Sequence, residues 1–143
     1  MLKRTTSTNA PGWVVLIRVA VGAVFLSEGI QKFLFPGELG VGRFTRIGIP
    51  APEVMAPFVG VVEIGGGALL ILGLLTRLAA VPLMIDMLVA IASTKIPILL
   101  KSGFWAMAHE ARTDFTMLLG CLFFLIVGAG CWSLDAGLAG EKG

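Results

Sequence analysis

The chain lacks several features on which soluble enzymes and cofactor proteins depend. Tyrosine is absent, histidine occurs once, and only 14% of the 143 residues are charged, against about 25% in an average soluble domain. There is no CxxC pair, no P-loop and no GxGxxG turn, and one histidine cannot supply two axial haem ligands. A single histidine among scattered carboxylates predicts no metal site. The net charge of +2, without a long basic run, predicts no nucleic-acid partner.

What the chain has instead is hydrophobic sequence. Its residues are 57% hydrophobic and its mean hydropathy is +0.94, and a span of the bilayer takes roughly 20 apolar residues. The sequence predicts an all-α integral membrane protein, an up-and-down bundle of four transmembrane helices at about residues 12–35, 52–75, 77–100 and 112–134. These helices form one domain over residues 12–138, with a short interfacial element between helices 1 and 2. A polar, exposed N-terminal tail covers residues 1–11 and a C-terminal tail covers residues 139–143.

The N-terminus and the two cysteines each leave an alternative open. A signal peptide competes with a retained first helix, but Arg18 interrupts the apolar stretch early and favours the helix. In a continuous helix Cys121 and Cys131 would lie about 15 Å apart, beyond the roughly 7 Å reach of a disulfide. Both are predicted to be small buried hydrophobic residues. The alternative for Cys131 is a redox thiol or a contact with another subunit.

Ionisable side chains interrupt all four apolar segments, where an unpaired charge costs several kcal/mol. Helical rise predicts that Arg18 and Asp86 lie at similar depth and pair across two helices, with Glu63 deeper. Five more charged residues are predicted to converge at the end of the bundle opposite the termini, beside His109: Glu28, Lys32, Lys95, Arg112 and Asp114. The candidate pocket residues are Arg18, Glu28, Lys32, Glu63, Asp86, Lys95, Arg112 and Asp114.

Two interpretations of these charges remain open. Four positive and four negative groups balance, as a buried network that only fixes helix register requires, and residues near helix ends can also snorkel. Alternatively the charges line a polar pocket that holds a quinone head group or another small ligand, with Glu28 or Asp114 accepting a proton. Residues 65–67, all glycine, serve either tight helix packing or space for a flat ring beside Glu63.

Short motifs spread along nearly the whole chain resemble those of one known family. Each motif alone is unspecific, but their order and spacing over about residues 12–138 resemble the DoxX family, small bacterial and archaeal membrane proteins with four helices. The motifs are Arg18, Gly22-x-x-Phe25-x-x-x-Gly29-x-x-Lys32, Glu63-x-x-Gly66, Gly73-x-x-Thr76-Arg77, Arg112-x-Asp114, and Gly128-Ala129-Gly130-x-x-Ser133-Leu134-Asp135.

This resemblance implies a function by analogy. Relatives in the family include subunits of a thiosulfate–quinone oxidoreductase and proteins linked to thiol redox systems. The expected function is a quinone- or thiol-linked redox component, or an accessory subunit, of a membrane oxidoreductase complex. The alternatives are a non-catalytic assembly subunit and, third, a small-solute transporter. No covalent cofactor is expected, quinone is the candidate ligand, and no catalytic residue is assigned.

The expected location and partners follow from the same analogy and from the apolar segments. We expect a multi-pass protein of the bacterial cytoplasmic (inner) membrane with both termini in the cytoplasm. Its expected partners are membrane lipids and another membrane protein subunit.

Overall fold

The computed structural model describes residues 6–140, and these residues form helices joined by short turns, with no strand among them. The segment from Thr76 to Ser102 is one continuous rod of 27 residues, made of two α-helices joined by a π-helical turn. The elements are α1 (Val14–Leu34), α2 (Val41–Arg46), α3 (Pro52–Leu72), α4 (Thr76–Ala90), the π turn (Ile91–Lys95), α5 (Ile96–Ser102), α6 (Phe104–Val127) and α7 (Leu134–Ala139).

Three helical rods are long and apolar enough to cross a membrane: α1, α3 and the α4–α5 rod. The prediction of an all-α membrane protein is therefore confirmed, whereas the fourth span stays a prediction. Helix α6 has 24 residues and a length of about 36 Å, which is sufficient. Its first half, however, carries Glu110, Arg112 and Asp114, so its apolar character is concentrated in its second half.

The long helices are arranged so that the bundle closes on itself. Helix α1 packs along α3, α3 contacts α4, α4 packs along α6, and α6 returns to α1. The largest side chains of the core are fully buried: Phe25, Leu70, Leu83 and Phe124. Every long helix also exposes large hydrophobic side chains on its outer face, for example Leu16, Val61, Ile85 and Ile126. An apolar exterior around the whole bundle is what contact with lipid requires.

Small residues allow α1 and α3 to approach closely. A Cβ placed on Gly67 would lie 2.7 Å from the carbonyl oxygen of Gly22, and one placed on Gly29 would lie 2.7 Å from that of Gly60. Such contacts are tighter than any side chain tolerates, so glycine is required on both helices. Close backbone approach of this kind replaces the hydrophobic driving force that is missing between helices in lipid.

The fourth predicted helix was wrong in its boundaries. It was expected at residues 112–134, but α6 runs from Phe104 to Val127. The segment that was predicted as a loop, residues 101–111, contains good helix formers, Ala106, Ala108 and Ala111, and Gly103 at φ 84° supplies the only break that is needed before it. At the other end Gly128 at φ 85° terminates the helix.

The turn between α3 and α4 was also misplaced. The predicted helices at residues 52–75 and 77–100 placed it at residue 76, but Thr76 begins α4. The chain reverses one step earlier, where Gly73 and Leu75 both adopt left-handed backbone conformations, at φ 66° and 49°.

The described part of the segment before α1 is partly packed, so the prediction of an exposed tail was wrong for Thr6 and Thr8, whereas Asn9 and Pro11 are exposed. Thr6 and Thr8 are buried, while residues 1–5 lie outside the described part of the chain. The hydroxyl of Thr8 donates to the Val127 carbonyl at 3.2 Å and accepts from the Gly130 amide at 3.1 Å. Because α6 ends at Val127, its last carbonyl needs a partner, and Thr8 provides one.

The same end of the bundle is closed by α7. The Asp135 carboxylate, 1% exposed, accepts hydrogen bonds from the backbone amides of Leu75 and Thr76 at 2.7 and 2.9 Å. It thereby satisfies two of the free N–H groups at the start of α4, where negative charge is also favoured by the helix dipole. The Asp135 amide donates to the Gly73 carbonyl at 2.8 Å, which fastens the C-terminal segment to the α3–α4 turn.

Candidate functional site

A cavity of about 330 Å³ lies inside the bundle at the end opposite the termini. Its walls come from α1, α3, the α4–α5 rod and α6, and the segment that contains α2 closes it. Five acidic and three basic side chains line it, so its formal charge is −2. The charged lining residues are Glu28, Lys32, Arg43, Glu63, Asp86, Lys95, Glu110 and Asp114.

The first ion pair in the cavity joins α1 to α3. The Lys32 Nζ lies 2.5 Å from Glu63 Oε2, and the two side chains are 11% and 3% exposed. Glu63 sits near the middle of α3, and Lys32 reaches it from the last turn of α1. Burial of a carboxylate at this depth requires such a partner, since an isolated charge there would cost several kcal/mol.

The second ion pair joins the α4–α5 rod to α6. The Lys95 Nζ lies 3.0 Å from Asp114 Oδ2, with side-chain exposures of 8% and 22%. Lys95 is the last residue of the π turn, and π turns within α-helices often occur at functional sites. The inserted residue shifts the register of the rod, and Ser93, Thr94 and Lys95 in succession line the cavity.

Asp86 lies between these two pairs and interacts with both. Its carboxylate faces that of Glu63 and is within electrostatic range of Lys32, Asp114 and Glu28. Its Oδ2 is buried and has no hydrogen-bond partner among the described residues. Asp86 is therefore one of three acidic lining residues, with Glu28 and Glu110, for which the described part of the chain shows no ion pair.

The segment between α1 and α3 forms the roof of the cavity. Leu39, Arg43, Phe44 and Ile47 line it from above. The roof is held in place at its edge by Arg46, which donates to the carbonyls of Gly37 and Glu38 at 3.1 and 3.0 Å. The sequence predicted a short element between helices 1 and 2, and α2 is such an element and covers charged residues. Its position in the membrane interface stays a prediction.

The remaining wall of the cavity is apolar. Its side chains are aliphatic, aromatic or thioether groups, and they include Val24, Phe25, Met55, Val59, Met87 and Met117. A ligand of this site would thus contact hydrophobic surface on several sides and a few charged groups at defined points. That combination is typical of small-molecule sites, which have volumes of about 300–1,000 Å³.

Six of the eight residues that the sequence proposed for a pocket line this one cavity. They are Glu28, Lys32, Glu63, Asp86, Lys95 and Asp114. The structure brings them together from α1, α3, the α4–α5 rod and α6. Whether the cavity binds a ligand is a separate question, taken up below.

Arg18 lies at the opposite end of the bundle, and its expected pairing with Asp86 was wrong. Its guanidinium donates to the carbonyls of Ala129 and Trp132 at 2.5 and 2.8 Å, and its side chain is 2% exposed. The loop after α6 is not helical, so its carbonyls are free to accept. An arginine that binds two carbonyls with its planar fork gains more there than from one distant carboxylate.

Arg112 does not line the cavity either. It is exposed and donates to the carbonyl of His109 one turn earlier on α6. Its expected place was set by assuming that α6 begins at residue 112. Because the helix begins at Phe104, Arg112 falls in its third turn and on its outer face, while Asp114, two residues later, faces inward.

The sequence interpretation missed Arg43, Glu110 and Thr113 as lining residues. Glu110 could have been found, because it lies four residues before Asp114 and therefore on the same face of a helix. Thr113 and Arg43 gave no comparable signal, since one depends on the helix boundary and the other on how the roof folds.

Neither the glycine run nor the cysteines contribute to the cavity. A Cβ on Gly66 would meet the Leu83 side chain at 2.8 Å, while Gly65 has no neighbour within 4 Å. None of these glycines lines the cavity, so the expectation that they clear space for a ring beside Glu63 was wrong. Both cysteines are free, Cys121 fully buried and Cys131 half-buried.

Comparison with known proteins gives one matching family and several relatives. The DoxX family model matches residues 13–96. An uncharacterized membrane protein of Mycobacterium tuberculosis is 54% identical over an alignment that covers 94% of this chain and 93% of the relative. A Haemophilus influenzae protein is 35% identical, with coverages of 87% and 90%. A Bacillus subtilis protein named "Putative oxidoreductase CatD" is 31% identical, with coverages of 85% and 83%. No solved structure matches the chain.

Proposed function

The chain belongs to the DoxX family, and from this membership and the charged cavity we propose that it is a membrane redox component that binds a quinone head group. The observation that carries the proposal is a 330 Å³ cavity within a membrane bundle, lined by apolar side chains and by two buried ion pairs. A quinone ring needs apolar walls for its faces and a few polar groups for its oxygens. Its isoprenoid tail would remain in the surrounding lipid.

The proposed chemistry is binding and orientation. Lys32 and Lys95 each carry more N–H donors than their single carboxylate partners use, so they can also donate to ring oxygens. Asp86, Glu28 and Asp114 can accept hydrogen bonds or protons. The Bacillus subtilis relative is named as an oxidoreductase, and we propose that this chain serves such an enzyme as a quinone-binding subunit.

The proposed topology has α6 as a fourth span, with both termini in the cytoplasm of a bacterial cell and the protein in its cytoplasmic membrane. The ion pair between Lys95 and Asp114 supports the fourth span, since it neutralises one of the charges that make the first half of α6 polar. In this topology the cavity lies in the half of the bundle nearer the outer face of the membrane. C-terminal fusions test this topology. With the C-terminus in the cytoplasm, a fused fluorescent protein should fluoresce and a fused alkaline phosphatase should be inactive.

The binding proposal is tested by the lipids that accompany the purified protein. The protein is isolated in a mild detergent and its extracted lipids are identified by mass. We expect a prenylated quinone at near-stoichiometric amounts, and a loss of at least about tenfold in Glu63→Gln, because this variant changes a buried charge that lines the site. The matched control is Arg112→Ala, which removes a charge on the outer face of α6 and should leave the quinone bound.

Helical content by circular dichroism shows that each variant is folded. Two results would contradict the proposal: a wild-type protein that carries no quinone and takes up none when it is added, or a folded Glu63→Gln variant that retains as much as the wild type.

A second candidate function, that of an assembly subunit, is favoured by the outer face of α1. An open groove there is lined mainly by apolar side chains but also by Ser27 and Gln31. The Gln31 amide donates to the Ser27 hydroxyl at 2.9 Å, and both groups are on the outside of the bundle. Polar side chains on a lipid-facing helix often mark contact with another helix. A Gln31→Leu variant should then lose a stoichiometric partner from gently solubilised membranes, without losing quinone.

A further inference from the structure

Acidic side chains outnumber basic ones in the cavity, five to three. Ten carboxylate oxygens line it, on Glu28, Glu63, Asp86, Glu110 and Asp114. The cations that face them are two lysines and Arg43 of the roof. The lysines keep N–H groups that can donate to a ring oxygen, but a ligand that also supplies donors is favoured, because the excess carboxylate oxygens repel an additional acceptor.

The hydroxyl groups of the π turn do not correct this imbalance. Ser93 donates to the carbonyl of Val89 at 2.7 Å, and Thr94 donates to that of Ala90 at 2.6 Å. Each hydroxyl has only one proton, and in both cases the backbone of the same helix receives it. Toward the cavity these side chains can offer lone pairs, so they add acceptors.

One oxygen of Asp86 lacks a donor among the described residues, although the Glu63 carboxyl lies within hydrogen-bond range of the Asp86 side chain. Lys32 lies at 2.5 Å from Glu63 and Lys95 at 3.0 Å from Asp114, whereas Asp86 Oδ2 is buried with no partner among the described residues. A buried carboxylate oxygen without a partner costs about 1–3 kcal/mol or more. A ligand that donates to this oxygen removes that cost when it binds, whereas a ligand that only accepts does not.

The two redox forms of a quinone differ in this property. The oxidised ring carries two carbonyl oxygens, which only accept hydrogen bonds, and the reduced ring carries two hydroxyls, which also donate. We infer that the cavity preferentially binds the reduced, hydroxyl-bearing form of its aromatic ligand, with the Asp86 carboxylate accepting a hydrogen bond from one ring hydroxyl. This inference rests on the proposed function and adds to it which form is held and by which residue.

The experiment compares three compounds that share one tetramethyl-substituted ring, on the purified, delipidated full-length protein under anaerobic conditions. They are tetramethylhydroquinone, tetramethylbenzoquinone and the dimethyl ether of the former, which cannot donate. We expect the hydroquinone to bind at least about tenfold more tightly than the other two, as one hydrogen bond to a carboxylate allows. We expect the Asp86→Asn variant to bind the hydroquinone and the quinone with equal affinity, because the asparagine amide both donates and accepts hydrogen bonds.

The matched control is Glu53→Gln, which makes the same charge change in the first turn of α3, outside the cavity lining. It should keep the wild-type preference. If Asp86→Asn does not fold, the midpoint potential of the quinone bound to the wild-type protein tests the inference instead. Tenfold tighter binding of the reduced form raises the midpoint potential of the bound two-electron couple by about 30 mV, and a shift in the opposite direction overturns the inference.

The possible failures are distinguishable. If neither ring form binds, the proposed function itself is refuted. If both bind equally, or the quinone binds more tightly, the site exists but Asp86 does not accept from the ligand, as would be the case if Asp86 carried the proton and donated it. If Asp86→Asn is folded and keeps the tenfold preference, another acceptor is responsible and the assignment to Asp86 is wrong.

Discussion

Two glycines two positions apart on α3 allow a direct test of how this bundle is held together. A Cβ on Gly67 would lie 2.7 Å from the carbonyl oxygen of Gly22 and 2.7 Å from the backbone nitrogen of Leu26. A Cβ on Gly65 would have no neighbour within 4 Å. The perturbation is therefore the same methyl group, placed once against the backbone of α1 and once on an open surface of the same helix.

The magnitude follows from two opposing effects. Alanine in place of glycine favours a helix by about 0.5–1 kcal/mol at either position. At Gly67 the methyl group must also be accommodated, and insertion into a packed interface costs about 1–3 kcal/mol. The neighbours of Gly67 are backbone atoms, which cannot rotate away, so the two helices have to separate by several tenths of an ångström. We expect Gly65→Ala to unfold with a free energy about 1–3 kcal/mol higher than that of Gly67→Ala.

The assay is reversible unfolding in mixed detergent micelles, followed by circular dichroism as the denaturing detergent is increased. The difference between the two variants isolates the steric effect, because their helix propensities change equally. Equal stability of Gly67→Ala and Gly65→Ala would refute the argument that α1 and α3 are in backbone contact at this point. A more stable Gly67→Ala would refute it more strongly.

Three further predictions concern buried charges, each measured by the same unfolding assay. Lys32→Met and Glu63→Leu should each destabilise the protein by about 3–5 kcal/mol, because each leaves an uncompensated buried charge, whereas the double variant should be closer to the wild type than either; additive effects would contradict the pairing. Arg18→Lys retains the charge but not the two-pronged geometry, and should cost about 1–3 kcal/mol; an unchanged stability would show that its bonds to Ala129 and Trp132 contribute nothing. Asp135→Asn keeps the size of the side chain but removes the charge that caps α4, and should cost about 0.5–2 kcal/mol; a neutral result would argue against the cap.

The parts of the fold that depend on local sequence were predictable. Whether a segment can cross a membrane is set by its own length and apolar content, which is why α1, α3 and the α4–α5 rod lie close to their expected residues. The importance of Glu63 and Asp86 was predictable for the same reason, since a charge within an apolar run is costly wherever the run is placed. Neither inference requires knowledge of which helices are neighbours.

The parts that depend on non-local contacts were not predictable. Arg18 is held by carbonyls more than a hundred residues later in the chain, and these carbonyls are available only because Gly128 ends α6 early. Depth along a helix placed Asp86 level with Arg18, whereas the structure places it beside Glu63 in the cavity. Depth also could not reveal that loop carbonyls would accept from Arg18. The roof of the cavity also depends on non-local contacts, because nothing in residues 39–49 indicates that this segment folds over charged groups.

The charges of the cavity also bear on the choice between a structural network and a binding site. A network that only fixes helix register is best served by equal numbers of opposite charges, and the Lys32–Glu63 and Lys95–Asp114 pairs alone would meet that need. Asp86 adds a further negative charge beside Glu63, and one of its oxygens has no hydrogen-bond partner in the described part of the chain. This costs stability without strengthening either pair, and an uncharged residue at position 86 would avoid the cost. The proposed ligand would account for the excess acceptor, whereas stability gives no reason to keep it. An Asp86→Asn variant more stable than the wild type would agree with this argument, whereas one destabilised as strongly as Glu63→Leu would assign Asp86 to the structural network after all.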